Sequence, residues 1–157
     1  MSQHPPLDWR RICVQHLRTW VDLLHAAYAG NLAMGMNFTA ATMTMQRGEQ
    51  FLADRLVWGG FAETRLVATF TLRRDEEGWH LNLLAVRPDQ GRQGYGDLAL
   101  SEAERRARNV GAAELLLDTA AEHPWLVDFY RSRGYVAYGH VQKPGKTYRS
   151  VLFRKPL

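Results

Sequence analysis

The hydrophobic positions in the first third of the chain recur at helical spacing. One apolar stripe follows the i, i+3, i+4, i+7, i+11 spacing of an amphipathic helix and is formed by Leu17, Trp20, Val21, Leu24 and Tyr28. The Gly30-Asn31 pair is expected to end this helix. Residues 31–38 should form a loop, and residues 42–54 a second, weaker helix. Before the first helix, residues 11–15 are a candidate strand.

The period then changes from that of a helix to that of a strand. Residues 55–62 and 65–73 flank Glu63-Thr64, and this arrangement predicts a β-hairpin. The alternating apolar positions of the second run, which should share one face, are Leu66, Ala68, Phe70 and Leu72. After a turn, residues 79–86 should form a third strand. Its last four residues are all apolar and are expected to be buried on both faces.

The second half of the chain alternates between helices and strands. The predicted segments are a glycine-rich turn at 88–96, a helix at 96–109, a strand at 114–118, a helix at 124–134, and strands at 135–141 and 148–155. Pro124 suits the first position of the later helix, which Gly134 should end. The whole order is β-α-α-β-β-β-α-β-α-β-β. It predicts an α/β fold: a single domain, residues 1–157, with a mixed, mostly antiparallel central sheet and helices on both faces.

Composition and charge restrict the kinds of fold and ligand that are expected for this chain. A chain of 157 residues fits one domain, and 46% hydrophobic with 23% charged residues is typical of soluble globular proteins. The formal net charge is +4, but acidic and basic residues interleave, so no nucleic-acid partner is expected. The mild basic excess suits an anionic ligand.

Cysteine usage and the apolar segments bear on compartment and metals. The single cysteine, Cys13, can form neither an intrachain disulfide nor a cysteine-based zinc site, and it is expected to be buried and inert. The N-terminus lacks the features of a signal peptide, and residues 23–46 are too polar for a membrane span. These features predict a cytoplasmic protein with no membrane contact. The histidines lack ligand spacing, so no metal is expected.

The turn that carries Gly91, Gly94 and Gly96 is the strongest chemical signal in the sequence. Glycines between a buried strand and a helix let backbone N–H groups approach a ligand, and the helix adds the positive end of its dipole. Such a turn binds phosphate or pyrophosphate. The segment from Gly94 to Ala99 also matches a dinucleotide-binding pattern, with Asp118 at a suitable distance. Nicotinamide binding is disfavoured, because seven residues separate Gly94 from the strand and only one α/β unit follows Asp118.

Three motifs together resemble the GNAT superfamily of acetyl-CoA-dependent N-acetyltransferases. They are Val86-x-Pro88, Gly91-Arg-Gln-Gly94-Tyr-Gly96 and Phe129-Tyr130-x-x-x-Gly134-Tyr135. The resemblance implies that acetyl-CoA is the co-substrate and that a primary amine attacks it directly in a ternary complex. It also implies that loop amides hold the pyrophosphate, and that the pantetheine arm enters a gap between two splayed strands. The implied coenzyme-binding residues are Leu84, Ala85, Val86, Gly91, Arg92, Gln93, Gly94, Tyr95, Gly96 and His123. Gly91 departs from the family pattern, which has Gln or Arg there.

The same resemblance suggests catalytic roles. Tyr130 matches the family tyrosine that faces the coenzyme sulfur, where a phenol can protonate the leaving thiolate; the alternative is a core tyrosine. His80 lies six residues before Val86, at the offset where the histone-acetylating branch carries its glutamate base. Histidine can serve as a base near neutral pH, and the alternative is a polar residue at a strand entrance. His123 could instead cap the helix that follows it.

The acceptor and its pocket are less defined. Met34, Phe38 and Asn82 are the candidate pocket residues, and core packing is the alternative for the methionine-rich segment. The acceptor is expected to be a small-molecule or peptide amine. A second hypothesis is a coenzyme-A-binding sensor or interaction module without turnover. A homodimer is a possible assembly, because exposed terminal strands can pair between two copies of a protein.

Overall fold

The computed structural model describes residues 6–90 and 94–157, so the predictions on Gly91, Arg92 and Gln93 lie outside the described residues. The helices are α1 (Leu17–Ala33), α2 (Met45–Asp54), α3 (Tyr95–Asn109) and α4 (Leu126–Arg131). The strands are β1 (Asp8–Arg11), β2 (Leu56–Ala62), β3 (Arg65–Asp75), β4 (Gly78–Val86), β5 (Glu114–Ala120), β6 (Val136–Val141) and β7 (Ser150–Pro156). Short 3₁₀ turns lie at Val14–His16, Thr39–Thr42 and Pro88–Gln90. The predicted order of helices and strands is confirmed.

These strands form one sheet in the order β1-β2-β3-β4-β5-β7-β6. The β4–β5 pair is parallel, and the other neighbouring pairs of the sheet are antiparallel. The predicted mixed, mostly antiparallel sheet is therefore confirmed. The first strand is Asp8–Arg11 rather than residues 11–15, because Val14–His16 already form the turn that leads into α1.

Helices cover both faces of the sheet. Thr69 and Phe70 are neighbours in β3, so their side chains point to opposite faces. Thr69 Oγ1 accepts a hydrogen bond from Trp20 Nε1 of α1 at 3.0 Å. Phe70 belongs to the hydrophobic cluster that contains Leu100 of α3 and Tyr130 of α4. The sheet therefore lies between an α1–α2 layer and an α3–α4 layer, as predicted.

One extra residue in β3 divides its apolar side chains between the two layers. Gly60 pairs with Ala68 but Phe61 pairs with Leu66, which leaves Val67 as a β-bulge. Leu66 joins the cluster under α1 and α2, whereas Phe70 and Leu72 belong to the α3–α4 cluster. The prediction that they all share one face is wrong, because an inserted residue reverses the alternation.

Two helix boundaries also differ from the predictions. α1 continues through Gly30 to Ala33, and the left-handed residue that follows it is Gly35, whose φ is +83°. Gly30 is tolerated because a glycine inside a helix costs only about 1 kcal/mol. α4 begins after Trp125, whose φ is −142°, so Pro124 precedes the helix instead of occupying its first position.

Candidate active site

The central feature of the site is a gap between β4 and β5. These parallel strands are paired only at Trp79–Leu115 and His80–Leu116 in the described part of the chain. Beyond these pairs β4 stays paired with β3, and β5 stays paired with β7. The two strands β4 and β5 therefore separate from each other. The gap opens into a cavity of about 550 Å³ that is lined by residues of both strands, α1, α2, α3 and α4. The strand separation that the family resemblance implies is present.

A bulge bends β4 beside this gap. Leu83 and Leu84 stand opposite the single residue Phe70 of β3, because the flanking pairs are Thr69–Ala85 and Thr71–Asn82. Leu83 has a φ of +54°, which is uncommon for a residue other than glycine. The Tyr28 hydroxyl donates to the carbonyl oxygen of Leu84 at 2.7 Å and ties α1 to the bulge. Bulges of this kind redirect a strand next to active sites.

The two described glycines of the turn, Gly94 and Gly96, line the cavity. Gly94 immediately precedes α3 and has a φ of +82°. Glycine adopts this left-handed conformation without a steric penalty. The first-turn N–H groups of an α-helix lack intrahelical acceptors and carry partial positive charge, so this position suits an anion. The described members of the predicted coenzyme set all line the cavity: Leu84, Ala85, Val86, Gly94, Tyr95, Gly96 and His123. Their contact with coenzyme A remains a prediction.

For Tyr130 the sequence left two alternatives, a core tyrosine and a residue of the active site. The structure is compatible with both, because Tyr130 is buried in the α3–α4 cluster and also lines the cavity. Its hydroxyl has no hydrogen-bond partner within residues 6–90 and 94–157. Burial raises the pKa of Tyr130, the negative charge of Asp118 raises it further, and the guanidinium of Arg133 opposes them. The phenol therefore stays protonated at physiological pH and can act as a proton donor.

His123 satisfies backbone groups at the start of α4. Its Nδ1 accepts hydrogen bonds from the N–H groups of Trp125 at 3.2 Å and Leu126 at 3.1 Å. Burial lowers the pKa of His123, which favours the neutral ring that this acceptor role requires. The helix-capping alternative is therefore supported by direct contacts. A contact with the coenzyme arm stays a prediction.

The structure does not bring His80 to the cavity. Its Nε2 lies 2.9 Å from Oδ1 of Asp75, at the turn between β3 and β4, and His80 is not among the lining residues. The same carboxylate accepts hydrogen bonds from Arg73 and from the backbone of Glu77. Asn82, two residues along β4, does line the cavity. The imidazole is directed to the turn because Asp75 offers it a partner there.

Two of the predicted acceptor residues, Phe38 and Asn82, line the cavity. Phe38 packs against the ring of Tyr148 at a centroid distance of 4.7 Å and against Tyr28 at 5.5 Å. Asn82 Oδ1 is buried and has no hydrogen-bond partner among the described residues. A buried amide oxygen without a partner is costly, so a ligand that donates a hydrogen bond would be favoured beside it.

Two sulfur-containing side chains lie elsewhere than predicted. Met34 is 52% exposed after the end of α1 and does not line the cavity. Core packing does hold for Met36 and Met43, which are buried. Cys13 is exposed, not buried, because it stands at the start of the 3₁₀ turn, with its Sγ 3.3 Å from His16 Nδ1.

Sequence reasoning missed a group of charged residues in the cavity. Six cationic side chains line it. Arg87 follows β4, and the other five come from α2 with its C-cap, from β3 and from the β6–β7 loop: Arg47, Arg55, Arg73, Lys143 and Lys146. Asp118 is the only acidic residue among the described lining residues, and its Oδ2 lies 2.6 Å from Lys143 Nζ. No local pattern marks these residues, since each alone resembles an ordinary surface charge.

Residues 6–90 and 94–157 contain no group of three or more His, Cys, Asp or Glu side chains placed to hold a metal ion. Within the same ranges no helix has the length and apolar character needed to cross a membrane.

Comparison with known sequences gives matches over most of the chain. The family model described as "Acetyltransferase (GNAT) family" matches residues 17–135. The S-(2-succino)cysteine N-acetyltransferase of Bacillus subtilis (strain 168) is 28% identical over 149 residues, which are 87% of this chain and 88% of that protein. The S-alkylcysteine N-acetyltransferase of the same organism is 39% identical over 64 residues, 39% of this chain and 36% of that protein.

Solved structures share the fold. The PaiA N-acetyltransferase from Thermoplasma acidophilum in complex with coenzyme A superposes with a TM-score of 0.76 at 17% identity, covering 96% of this chain and 99% of that one. The ribosomal-protein-alanine N-acetyltransferase from Brucella melitensis has a TM-score of 0.76 at 20% identity, covering 96% and 100%. The match of the family model to residues 17–135, on a chain with this fold, shows that the protein is an acyltransferase of the GNAT acetyltransferase family.

Proposed function

We propose that this enzyme transfers the acetyl group of acetyl-CoA to the primary amine of a small S-substituted cysteine, by direct attack in a ternary complex. The observation that carries the proposal is the Tyr130 hydroxyl, which has no hydrogen-bond partner among the described residues and belongs to a residue that lines the same cavity as the glycine turn. The acceptor class is supported by the printed names of the two Bacillus subtilis relatives, both of which act on S-substituted cysteines.

The residues of the cavity fit acetyl-CoA. Gly94 and the start of α3 offer backbone N–H groups and a positive dipole end to the pyrophosphate. The edge of β4 from Leu84 to Val86 faces the gap and offers backbone groups to the pantetheine arm. When bound, acetyl-CoA supplies an activated thioester carbonyl to this gap. A backbone N–H on the β4 edge would stabilise negative charge that develops on the carbonyl oxygen.

The chain's own side chains then handle the amine and the protons. Asn82 Oδ1 accepts a hydrogen bond from the amine and orients its lone pair. The C–N bond forms, the C–S bond breaks, and Tyr130 gives its proton to the departing sulfur. The acceptor reacts as the neutral amine. After attack its N–H proton passes to water in the open cavity, and water returns a proton to the Tyr130 phenolate. This route needs no imidazole, in accord with the position of His80 outside the cavity.

Replacement of the phenol tests the proposal. Tyr130→Phe should lower kcat by about 10²–10⁴-fold, the usual worth of a general acid, while the Kd of coenzyme A stays near wild type. The assay is release of free thiol from acetyl-CoA in the presence of S-substituted cysteines. Tyr135→Phe is the matched control: its ring lies 5.7 Å from that of Tyr130, but its hydroxyl donates to Glu104 Oε2 and it does not line the cavity. It should retain the wild-type kcat.

The pH dependence adds a second test of the same residue. A general acid loses activity as the pH rises through its pKa, and burial raises the pKa of Tyr130 above the ordinary value of about 10. The alkaline decline of kcat should therefore lie above that value. A wild-type kcat in Tyr130→Phe, when chemistry limits the rate, would exclude the acid role. Coenzyme A binding without release of free thiol from acetyl-CoA in the presence of any tested amine would indicate a binding module instead.

A further inference from the structure

We infer that Arg47, Arg55 and Arg73, here called the arginine cluster, bind carboxylate groups on the S-substituent of the acceptor. The acceptor is then an acidic conjugate of cysteine instead of a neutral S-alkylcysteine. The inference rests on the proposed function for the amine and goes beyond it by assigning residues to the variable part of the acceptor.

Two members of the arginine cluster, Arg47 and Arg55, contact one aromatic ring. Arg47, Phe51 and Arg55 are spaced by four residues and so follow one face of α2 into its C-terminal cap. The guanidinium carbons of Arg47 and Arg55 lie 5.8 Å and 3.8 Å from the centroid of the Phe51 ring. Phe51 and the three arginines line the cavity. A guanidinium that stacks on a ring keeps its N–H edge available for a carboxylate.

The cluster lacks acidic partners within the cavity. Arg47 forms no ion pair with any residue in 6–90 or 94–157. Arg55 pairs with its chain neighbour Asp54 at 3.4 Å, and Arg73 pairs with Asp75, which also holds His80. Neither Asp54 nor Asp75 lines the cavity.

Mutual repulsion accompanies this arrangement. Burial lowers the pKa of Arg55; Asp54 opposes this effect, and the positive charges of Arg73 and Arg47 add to it. An anion in the cavity would offset both the burial and the repulsion, because a nearby opposite charge favours the charged form.

The coenzyme pyrophosphate is too distant to be the ligand of this cluster. Arg73 stands opposite His80 in the sheet, at the start of β4, whereas the glycine turn comes after Val86. Six residues of strand at about 3.3 Å each place these ends roughly 20 Å apart. Asn82, the proposed contact of the acceptor amine, is only two residues beyond His80. Arg73 therefore lies at the acceptor end of the cavity, and the charges of Arg73 and Arg47 both act on Arg55, which groups the three arginines there.

Lys146 supplies a second cationic group at this end. Its Nζ donates to the carbonyl oxygen of Asn37 at 3.0 Å and to Thr39 Oγ1 at 2.9 Å, and it has no acidic partner among the described residues. Burial lowers the pKa of Lys146, and Arg47 and Lys143 lower it further while Asp118 opposes them. Every S-substituted cysteine has one α-carboxylate, which a single cation can neutralise. The additional cations fit carboxylates on the substituent.

A graded set of acceptors tests the inference. S-propyl-, S-(2-carboxyethyl)- and S-(1,2-dicarboxyethyl)-L-cysteine carry zero, one and two carboxylates on the substituent. The wild-type kcat/KM should rise along this series. Arg47→Gln should reduce the ratio of kcat/KM for the diacid over the propyl compound by about 10–100-fold, the worth of one hydrogen bond between charged groups. Arg47 is exposed, so this variant should fold. Arg73→Gln serves as a second variant.

Arg18→Gln is the matched control, because Arg18 is an exposed α1 residue outside the cavity and the change removes the same charge. It should keep the wild-type ratio. The diacid should also raise the Tm of wild type and Arg18→Gln more than that of Arg47→Gln. A wild-type preference for the propyl compound, or an unchanged ratio in Arg47→Gln, would overturn the inference and leave the proposed function standing. Absence of thiol release with all three acceptors would overturn both.

Discussion

Gly94 allows the conformation of the coenzyme turn to be tested separately from overall stability. Its backbone has φ +82° and ψ 5°, in the left-handed region. For an alanine this region costs roughly 1–2 kcal/mol. In a chain of this size 1 kcal/mol corresponds to about 2–4 °C in Tm. Gly94→Ala should therefore lower the Tm by about 2–8 °C while the protein still folds.

The same change should weaken coenzyme A binding more than the loss of stability explains. Relief of the strain rotates the peptide units beside Gly94, and the amides at the start of α3 then lose their alignment. A hydrogen bond to a charged group is worth about 1.5–3 kcal/mol, so each lost contact raises the Kd about 10–100-fold. Isothermal titration calorimetry with coenzyme A measures this Kd directly.

Gly111→Ala is the matched control for backbone strain. Gly111 has a φ of +89°, no atom lies within 4 Å of the position of an added Cβ, and it does not line the cavity. It should lose a similar Tm and keep the wild-type Kd. Equal coenzyme A affinity in Gly94→Ala and wild type, with the Tm lowered as expected, would refute the placement of the pyrophosphate at this turn.

Two further variants address the bulge and the base. Tyr28→Phe keeps the ring but removes the donor to the Leu84 carbonyl, so it should cost about 1–3 kcal/mol in urea unfolding and lower kcat; an unchanged kcat would show that the bulge does not need this bond. His80→Gln should leave the shape and plateau of the pH–rate profile unchanged, because His80 hydrogen-bonds Asp75 outside the cavity; loss of the acid limb would restore His80 as the base.

The secondary structure at the proposed coenzyme end was predictable because its sequence signals are local. The glycine turn and its helix are contiguous in sequence, and Tyr130 lies on a short helix that Gly134 terminates with a φ of +93°. The two bulges were not predictable. Val67 and Leu83 are apolar residues within apolar strands. Each lies in a bulge only because of the register in which its strand pairs with the neighbouring strand. A pattern of alternating residues carries no information on such an insertion.

The position of the His80 side chain was not predictable from the sequence, because it depends on a charged partner. An offset along β4 places it near the cavity, but the position of the imidazole depends on the carboxylate of Asp75 across the turn. The spacing of Asn82 from His80 was a sound guide to a shared face, yet only Asn82 reaches the cavity. Strand periodicity thus predicts on which face of the sheet a side chain lies. The hydrogen-bond partner of that side chain determines where its polar atoms lie.

The acceptor end is assembled from segments far apart in the chain, and this has a consequence for specificity. Arg47 and Arg55 come from the α2 region, Arg73 from β3, and Lys146 from the β6–β7 loop, whereas the coenzyme turn follows β4. Substitutions at these cationic positions can alter the charge of the proposed acceptor pocket without changing the backbone that we propose holds the coenzyme. A family match therefore identifies acetyl transfer, while the acceptor must be argued from the side chains that the fold brings together. In this chain they form a predominantly cationic wall, which favours an acidic acceptor over a neutral one.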